Sequence, residues 1–383
     1  MKMALTGADA AAYAMKQINP DVLPMYPITP QTQIVMKFSE YVANGEVNTE
    51  LITAESEHSA MSSAIGSSAA GARTMTATSS NGLALMHEIV YIASSMRLPI
   101  VMNVVNRALS GPINIHCDHS DSMAERDSGW IQIYNENPQE VYDHNLMAIK
   151  LSEDSNILLP TMVLQDGFIT SHAMESLNVE ADSKVKSFIG KKKYEGYLLD
   201  SKNPKTFGAI DLTDYYMEHK YQQHLAIKEV EGKLKTIYKE FEEKFGRKYN
   251  VIEEYNTKDS EIVFVAMSSS CGTIRHRINE MKKDGYNVGL IKVRLFRPFP
   301  IDEIVKALKD KKKIIVLDRA NSPGAIGGPL YEDIVSATKD YKLNIYNIIY
   351  GLGGRNFAPK DVDEILLKVV KNQPFVDFHG VRR

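Results

Sequence analysis

Apolar positions along this chain switch between a spacing of three to four residues and short unbroken runs, and the switching predicts alternating helices and strands. Ala8 to Ile18 has helical spacing, with Gly7 and Asp9 near its start. Asp21 to Tyr26 reads as a short strand. Pro30 to Ala43 returns to helix, with Thr29 expected as N-cap and Pro30 at the first helical position. Asn48 to Ala54 and Arg73 to Ser79 read as strands. Between them, His58 to Gly71 is a helix crowded with Ala, Ser and Gly, which lets another backbone come close. A helix over Gly82 to Ser95 leads to Pro99 to Val105, an apolar strand of the kind buried in a parallel sheet. Pro138 to Glu153 reads as helix and Leu158 to Asp166 as another buried strand. This order predicts an α/β fold, a parallel sheet with helices on both faces.

The pattern changes after Glu180. Lys184 to Asn203 is Lys-rich and irregular, and Thr213 to Phe245 is a long charged helix that reads as a solvated connector. Tyr249 to Ser260 looks like a linker. A second α/β unit follows, with strands at Glu261 to Ser268, Asn287 to Leu295, Lys313 to Asp318 and Asn344 to Tyr350. Its helices are expected at Gly272 to Asp284, Ile301 to Lys309 and Leu330 to Thr338. The expected division is residues 1–250 and 258–383, which suits a chain of 383 residues.

Composition narrows the function classes. A net charge of −3 points away from nucleic acid or an anionic membrane as partner. No apolar run approaches the roughly 18 residues of a spanning helix. The opening Met-Lys-Met-Ala-Leu-Thr-Gly-Ala lacks a secretory apolar region, so a cytoplasmic location is expected. The two cysteines, Cys117 and Cys271, lie far apart and outside any Cys-x-x-Cys. That excludes a disulfide framework, and an iron–sulfur cluster held by this chain alone.

Candidate chemistry gathers at the ends of the expected strands, where open α/β sheets bind ligands. Met25-Tyr-Pro-Ile-Thr-Pro-Gln-Thr32 follows the first strand, and Thr53-Ala-Glu-Ser-Glu-His58 holds two carboxylates at a strand–helix junction. Glu57 there either serves a ligand or merely favours the dipole of the helix start, and Glu55 competes for the first role. Arg107, just past the strand ending near Val105, is placed either to grip a carboxylate through two hydrogen bonds or to form a structural ion pair. His116-Cys-Asp-His-Ser-Asp121 leaves open a metal-dependent hydrolase built on His116, Asp118, His119 and Asp121. Gly324-Ala-Ile-Gly-Gly-Pro-Leu330 and Gly351-Leu-Gly-Gly-Arg355 match neither dinucleotide nor Walker loops and read as packing turns.

Tyr-Pro-Ile-Thr-Pro, Asn106-Arg-Ala-Leu-Ser110 and Arg126-Asp-Ser-Gly-Trp130, in that order, resemble the alpha chains of pyruvate:ferredoxin oxidoreductase, within the 2-oxoacid:ferredoxin oxidoreductase family. The resemblance implies a thiamine-diphosphate-binding-type domain followed by a smaller transketolase C-terminal-like domain. It implies an enzyme that decarboxylates pyruvate with coenzyme A to acetyl-CoA and CO2 and passes electrons to ferredoxin. Relatives acting on branched-chain, aryl or 2-oxoglutarate substrates, or oxalate, share the scaffold. Family spacing sets the thiamine-contacting Glu 14 residues before the Gly that closes the small-residue helix, as Glu57 stands to Gly71. It implies substrate-binding roles for Thr29 and Arg107 and a cofactor-facing position for Tyr26 and Pro27. The chain has neither the Gly-Asp-Gly nor the Asn-Asn by which thiamine enzymes hold the diphosphate through magnesium. The resemblance therefore implies a thiamine diphosphate site shared with a beta chain that binds Mg2+. It also implies gamma and delta (ferredoxin-like) chains, 4Fe–4S clusters on partner subunits, and external ferredoxin as acceptor.

Overall fold

The computed structural model describes residues 1–192, 196–283, 285–371 and 376–382. Part of the expected irregular stretch (193–195) and the expected helix end at Asp284 lie outside the described residues.

The chain begins with a strand that the apolar pattern did not predict, β1 (Lys2–Thr6), and then α1 (Gly7–Ile18). Thr6 and Asp9 cap α1 reciprocally, the Asp9 amide donating to Thr6 Oγ1 at 3.1 Å. There follow β2 (Val22–Met25), α2 (Thr32–Ala43), β3 (Glu50–Thr53), α3 (Glu57–Ala69) and β4 (Thr74–Thr78). The expected 82–95 helix is two, α4 (Ser80–Leu85) and α5 (His87–Ser95), and leads into β5 (Ile100–Asn106). Next come α6 (Ser120–Ala124), β6 (Ile131–Asn135), α7 (Pro138–Ser152), β7 (Thr161–Asp166), β8 (Met174–Asn178), α8 (Asp182–Ile189) and α9 (Tyr216–Phe245). The second half holds β9 (Ile252–Tyr255), β10 (Ile262–Ala266), α10 (Ser270–Lys283), β11 (Val288–Val293), β12 (Leu295–Arg297) and α11 (Ile301–Leu308). It closes with β13 (Lys313–Asp318), α12 (Pro329–Ala337), β14 (Asn344–Ile349), α13 (Pro359–Val370) and β15 (Val376–Phe378).

The first sheet has seven strands in the order β12-β6-β7-β5-β4-β2-β3, parallel except for β12 at one edge. The second has six, β15-β14-β13-β10-β11-β9, parallel except for β9. Strand β9 lies inside the expected linker, and β12 crosses over to close the first sheet. β1 and β8 form a separate antiparallel pair.

Side chains alternate across β5. Val101 and Val105 enter the core made by α1, α2, α7 and α9, whereas Ile100, Met102 and Val104 enter one shared with α3, α5 and the second sheet. The long helix α9 is not the solvated connector its charge pattern suggested. Ala226, Val230, Leu234, Ile237, Tyr238 and Phe241 form a buried stripe against α7. Among the described residues no helix is long and apolar enough to cross a membrane.

The order of strands reverses at β2, with β3 on one side and β4 on the other. The β2–β4 ladder registers only Val22 with Thr74. Pro24 has no N–H to donate, and the Thr76 hydroxyl bonds to its carbonyl at 2.8 Å instead. The sheet is thus loosely zipped at its reversal point, the place where ligands enter open α/β sheets.

Candidate active site

Four strand ends converge at that reversal point. Strand β3 leads through Ala54 and the exposed Glu55 to Ser56, whose hydroxyl accepts from the Ser59 amide at 3.2 Å and starts α3. Glu57 is the first residue of that helix and is only 7% exposed. Among the described residues its carboxylate has no hydrogen-bond or ion-pair partner. The competing Glu55 is already engaged, by the Ser59 hydroxyl at 2.6 Å.

Gly82, in α4, stands against Glu57. A Cβ at Gly82 would lie 2.8 Å from Glu57 Oε1 and 2.7 Å from Thr78 Oγ1. The Thr78 hydroxyl is buried and has no partner either. A buried carboxylate without a partner is costly unless something donates to it. Glu57, Thr78 and the bare backbone of Gly82 therefore form a cradle suited to a ligand that brings an N–H donor.

Arg107 follows β5 and is almost buried, at 6% exposed. Its Nε donates to the Asn114 carbonyl at 3.0 Å and its Nη1 to the Thr29 carbonyl at 2.9 Å. Nη2 has no hydrogen bond among the described residues, which leaves one guanidinium arm for a carboxylate. Thr29 is exposed beside it, with Pro27 exposed and Tyr26 half-buried. Thr29 is not the cap of α2, contrary to expectation. Residues 29–31 form a turn and α2 starts at Thr32 after Gln31. The buried Gln31 amide holds that turn, accepting from the Ile28 N–H at 3.2 Å and donating to the Ala77 carbonyl at 2.9 Å. Gln31 went unnoticed in the sequence because its role needs β4 beside it.

Asp121 is the second residue whose role the sequence did not give. Fully buried, it accepts from the backbone amides of Ser80, Arg107 and Ser122 and from Asn106 Nδ2, at 2.8 to 3.0 Å. Burial pushes its carboxyl up to about 6 despite those donors. It ties the end of β5 to the start of α4, and so fixes Arg107 relative to Gly82.

The four residues of the expected metal cluster do not converge. His116 is exposed, Asp118 bonds Ser120 and the Gly353 amide, His119 donates through Nε2 to Asp166 at 2.8 Å, and Asp121 is spent as described. Cys117, His119 and Asp166 do bring three donor atoms within 4.8 Å of one another. Arg319 Nη1 already sits 2.6 Å from Asp166 and 3.9 Å from the Cys117 sulfur, a cation where a metal would have to be. Burial works against the Asp166 carboxylate, but Arg319 and His119 hold its pKa well below the usual range. Burial pushes the Cys117 thiol well up.

The glycine loops of the second half are packing turns, as expected. Asp318 accepts from the Leu330 and Tyr331 amides at 2.8 and 3.1 Å and so occupies the start of α12. The Gly351–Gly354 turn seats against residues 114–118, with the Gly354 amide donating to the Cys117 carbonyl at 2.7 Å.

Two family models match the chain. One, described as "Pyruvate flavodoxin/ferredoxin oxidoreductase, thiamine diP-bdg", covers residues 13–239, and "Pyruvate:ferredoxin oxidoreductase core domain II" covers residues 260–362. A pyruvate synthase subunit PorA from Thermotoga maritima is 54% identical over 94% of this chain and 92% of its own length. One from Methanocaldococcus jannaschii is 48% identical over 96% and 94%. A ketoisovalerate oxidoreductase subunit VorA from Pyrococcus horikoshii is 44% identical over 97% and 95%. Among solved structures, 2-oxoglutarate:ferredoxin oxidoreductase from Magnetococcus marinus, with 2-oxoglutarate, coenzyme A and succinyl-CoA bound, superposes with a TM-score of 0.73 at 19% identity. That match takes in 97% of this chain but 65% of the other. A split-gene transketolase, an inactive beta4 tetramer, gives 0.57 at 11% identity, covering 97% of this chain and all of that one. These two likenesses concern the fold.

Proposed function

The chain belongs to the pyruvate:ferredoxin oxidoreductase family, and from that membership we propose that it is the alpha subunit of an enzyme that oxidatively decarboxylates pyruvate. The observation that carries the reading is Glu57, a buried carboxylate just past a strand end with no partner among the described residues. Thiamine diphosphate, when bound, supplies the electron sink that lets a 2-oxoacid lose CO2. The cradle fits the pyrimidine end of that cofactor. Glu57 would accept a hydrogen bond from its ring nitrogen and take or return a proton at a carboxylate oxygen. Gly82, having no Cβ, lets the Glu57 carboxylate stand where it does, and Tyr26 and Pro27 would border the ring.

Arg107 would bind the substrate carboxylate through its free arm, charge-assisted and nearly out of water. Thr29 would face the same carboxylate from the β2 turn. In the balanced reaction, pyruvate and the thiol of coenzyme A give acetyl-CoA, CO2 and a proton. Two electrons leave one at a time to ferredoxin.

We place the magnesium-held diphosphate on a beta subunit, since the matching motifs are absent here. Gamma and delta (ferredoxin-like) subunits would complete the assembly, with the 4Fe–4S clusters on partner subunits, in the cytoplasm. We also read residues 1–250 and 258–383 as separate domains. The ketoisovalerate-acting relative at 44% identity favours a second reading, a branched-chain 2-oxoacid as substrate.

The test is the enzyme assembled from its co-purifying chains, assayed for ferredoxin reduction with pyruvate and with 2-oxoisovalerate. Pyruvate is expected to give the higher kcat/KM, and the reverse order would transfer the assignment to the branched-chain relative. Glu57→Gln in the same complex should lose activity by two or more orders of magnitude, roughly the worth of a positioned acid–base group. Substantial residual turnover would sink the role of Glu57.

A further inference from the structure

The free arm of Arg107 is aimed by a loop that the second half of the chain holds in place. Nε of Arg107 donates to the carbonyl of Asn114, at 3.0 Å. Asn114 in turn donates through Nδ2 to the carbonyl of Gly353, at 3.0 Å, and accepts through Oδ1 from the His116 amide, at 2.7 Å. Gly353 and Gly354 lie in the single 3-10 turn that follows β14. The Gly353 amide donates to Asp118 at 3.1 Å and the Gly354 amide to the Cys117 carbonyl at 2.7 Å. One residue further, the His119 amide donates to the carbonyl of Arg319, at the end of β13, at 2.8 Å. Residues 114–119 are therefore fastened at four points to the second sheet's strand ends.

Both glycines are required by shape. Their φ values are +57° and +77°, which L side chains rarely adopt. A Cβ on Gly353 would stand 2.4 Å from Asn114 Nδ2, and one on Gly354 would stand 2.4 Å from the His116 Cβ. The turn lies directly against the Asn114 and His116 side chains, with no room between them for a methyl group.

We infer that Gly353 and Asn114 are positioning residues for the substrate carboxylate, acting through Arg107. This rests on the proposed role of Arg107. The 3-10 turn sets Asn114, Asn114 sets Nε, and with Nη1 fixed on Thr29 the remaining arm has one direction. A carboxylate held by a charge-assisted bond from one directed arm is sensitive to small misplacements of that arm.

The test uses the assembled enzyme carrying Gly353→Ala, Asn114→Asp, Arg107→Ala, or Arg107→Ala with Gly353→Ala. For each, KM for pyruvate, KM for coenzyme A and kcat are measured, with thermal melting of the complex. Gly353→Ala and Asn114→Asp are each expected to raise the pyruvate KM about tenfold and leave that for coenzyme A unchanged. In the Arg107→Ala background Gly353→Ala should add nothing, because its effect passes through the lost guanidinium. Asn114→Asp keeps the acceptor for His116 and replaces the donor to Gly353 by a carboxylate oxygen that the Gly353 carbonyl repels, so it decides the matter if Gly353→Ala does not fold. A multiplied KM in the double variant, or a parallel rise for coenzyme A, overturns the inference. So does a wild-type pyruvate KM in Asn114→Asp beside a raised one in Arg107→Ala, and that outcome leaves the functional reading standing. An unchanged KM in Arg107→Ala overturns the reading itself, and this inference with it.

Discussion

Glu57 and Arg107 differ in how their surroundings leave them ready for a ligand. Glu57 is unpaired because Gly82 offers it neither a side chain nor a donor. Arg107 is two-thirds satisfied, with one arm left over. A methyl group at position 82 would test the first arrangement. Gly82→Ala sets a carbon 2.8 Å from Glu57 Oε1, and the carboxylate must turn away. We expect weaker thiamine diphosphate binding, about tenfold or more, with little change in melting temperature of the unloaded complex. Titrating the cofactor against recovered activity checks this, and wild-type affinity would show that the cradle is not where the cofactor sits. Arg107→Ala should mainly raise KM for pyruvate, by roughly 1.5–3 kcal/mol for a lost charge-assisted bond. Both residues stood out in the sequence because charged groups at the ends of apolar runs are visible there. Gln31 and Thr78 did not, and Asp121 stood out only as a metal ligand, since the contacts that give each its role come from elements distant in the sequence.

Element by element, the sequence was most legible where burial is simple. The apolar runs of β5 and β7 give strands in the right places, β5 within one residue of expectation at each end and β7 ending as expected at Asp166 but starting three residues late. β6 was missed because its five residues, Ile-Gln-Ile-Tyr-Asn, are all buried although two are polar. Gln132 bonds the Ser122 carbonyl at 2.9 Å and Asn135 the Leu164 carbonyl at 2.8 Å, partners that exist only after folding. β9 was hidden inside an apparent linker because Glu253 and Glu254 break its apolar pattern, and Glu253 is neutralised by Arg275 and Arg294. The same logic misjudged α9, whose charges crowd the outer face and mask a stripe four residues apart. Leu234, fully buried in that stripe, distinguishes the two views. Leu234→Ala should cost about 2–5 kcal/mol, as core truncations do, whereas a detached connector would lose almost nothing. Urea unfolding of the two proteins decides it. A change within a few tenths of a kcal/mol would return α9 to solvent.

At the scale of the whole molecule, the two halves are joined through buried charge as well as shared apolar core. Lys292, in β11, reaches Glu136 at 2.8 Å and Glu140 at 2.5 Å at the head of α7, and Arg294 adds a bond to Glu140 at 3.0 Å. Burial alone would raise the Glu140 carboxyl, but Lys292 and Arg294 outweigh it and hold it well below the usual range. His144, one turn along α7, is packed beside those cations and against the Tyr249 ring. Nδ1 faces two acceptors, Asn135 Oδ1 at 2.6 Å and the Glu140 carbonyl at 3.0 Å, while Nε2 faces the Tyr238 hydroxyl at 3.2 Å. The neutral ring with its proton on Nδ1 satisfies all three. A second proton, on Nε2, would have to turn the Tyr238 hydroxyl from donor to acceptor, and burial, with Arg294 and Lys292 added, lowers the ring's pKa to about 3. An unfolded histidine titrates near 6.5. Between those values the unfolded chain binds a proton that the folded chain refuses, so stability falls as pH drops from about 6.5 towards 3. His144→Gln removes that proton uptake. It should be less stable than wild type at pH 7 for want of its hydrogen bonds, and the gap should close by a few kcal/mol, to order of magnitude, on going to pH 4. Unfolding free energies of both proteins at a series of pH values measure the gap. Parallel curves would mean that His144 takes up its proton in the folded state after all, and that the junction between the halves admits water.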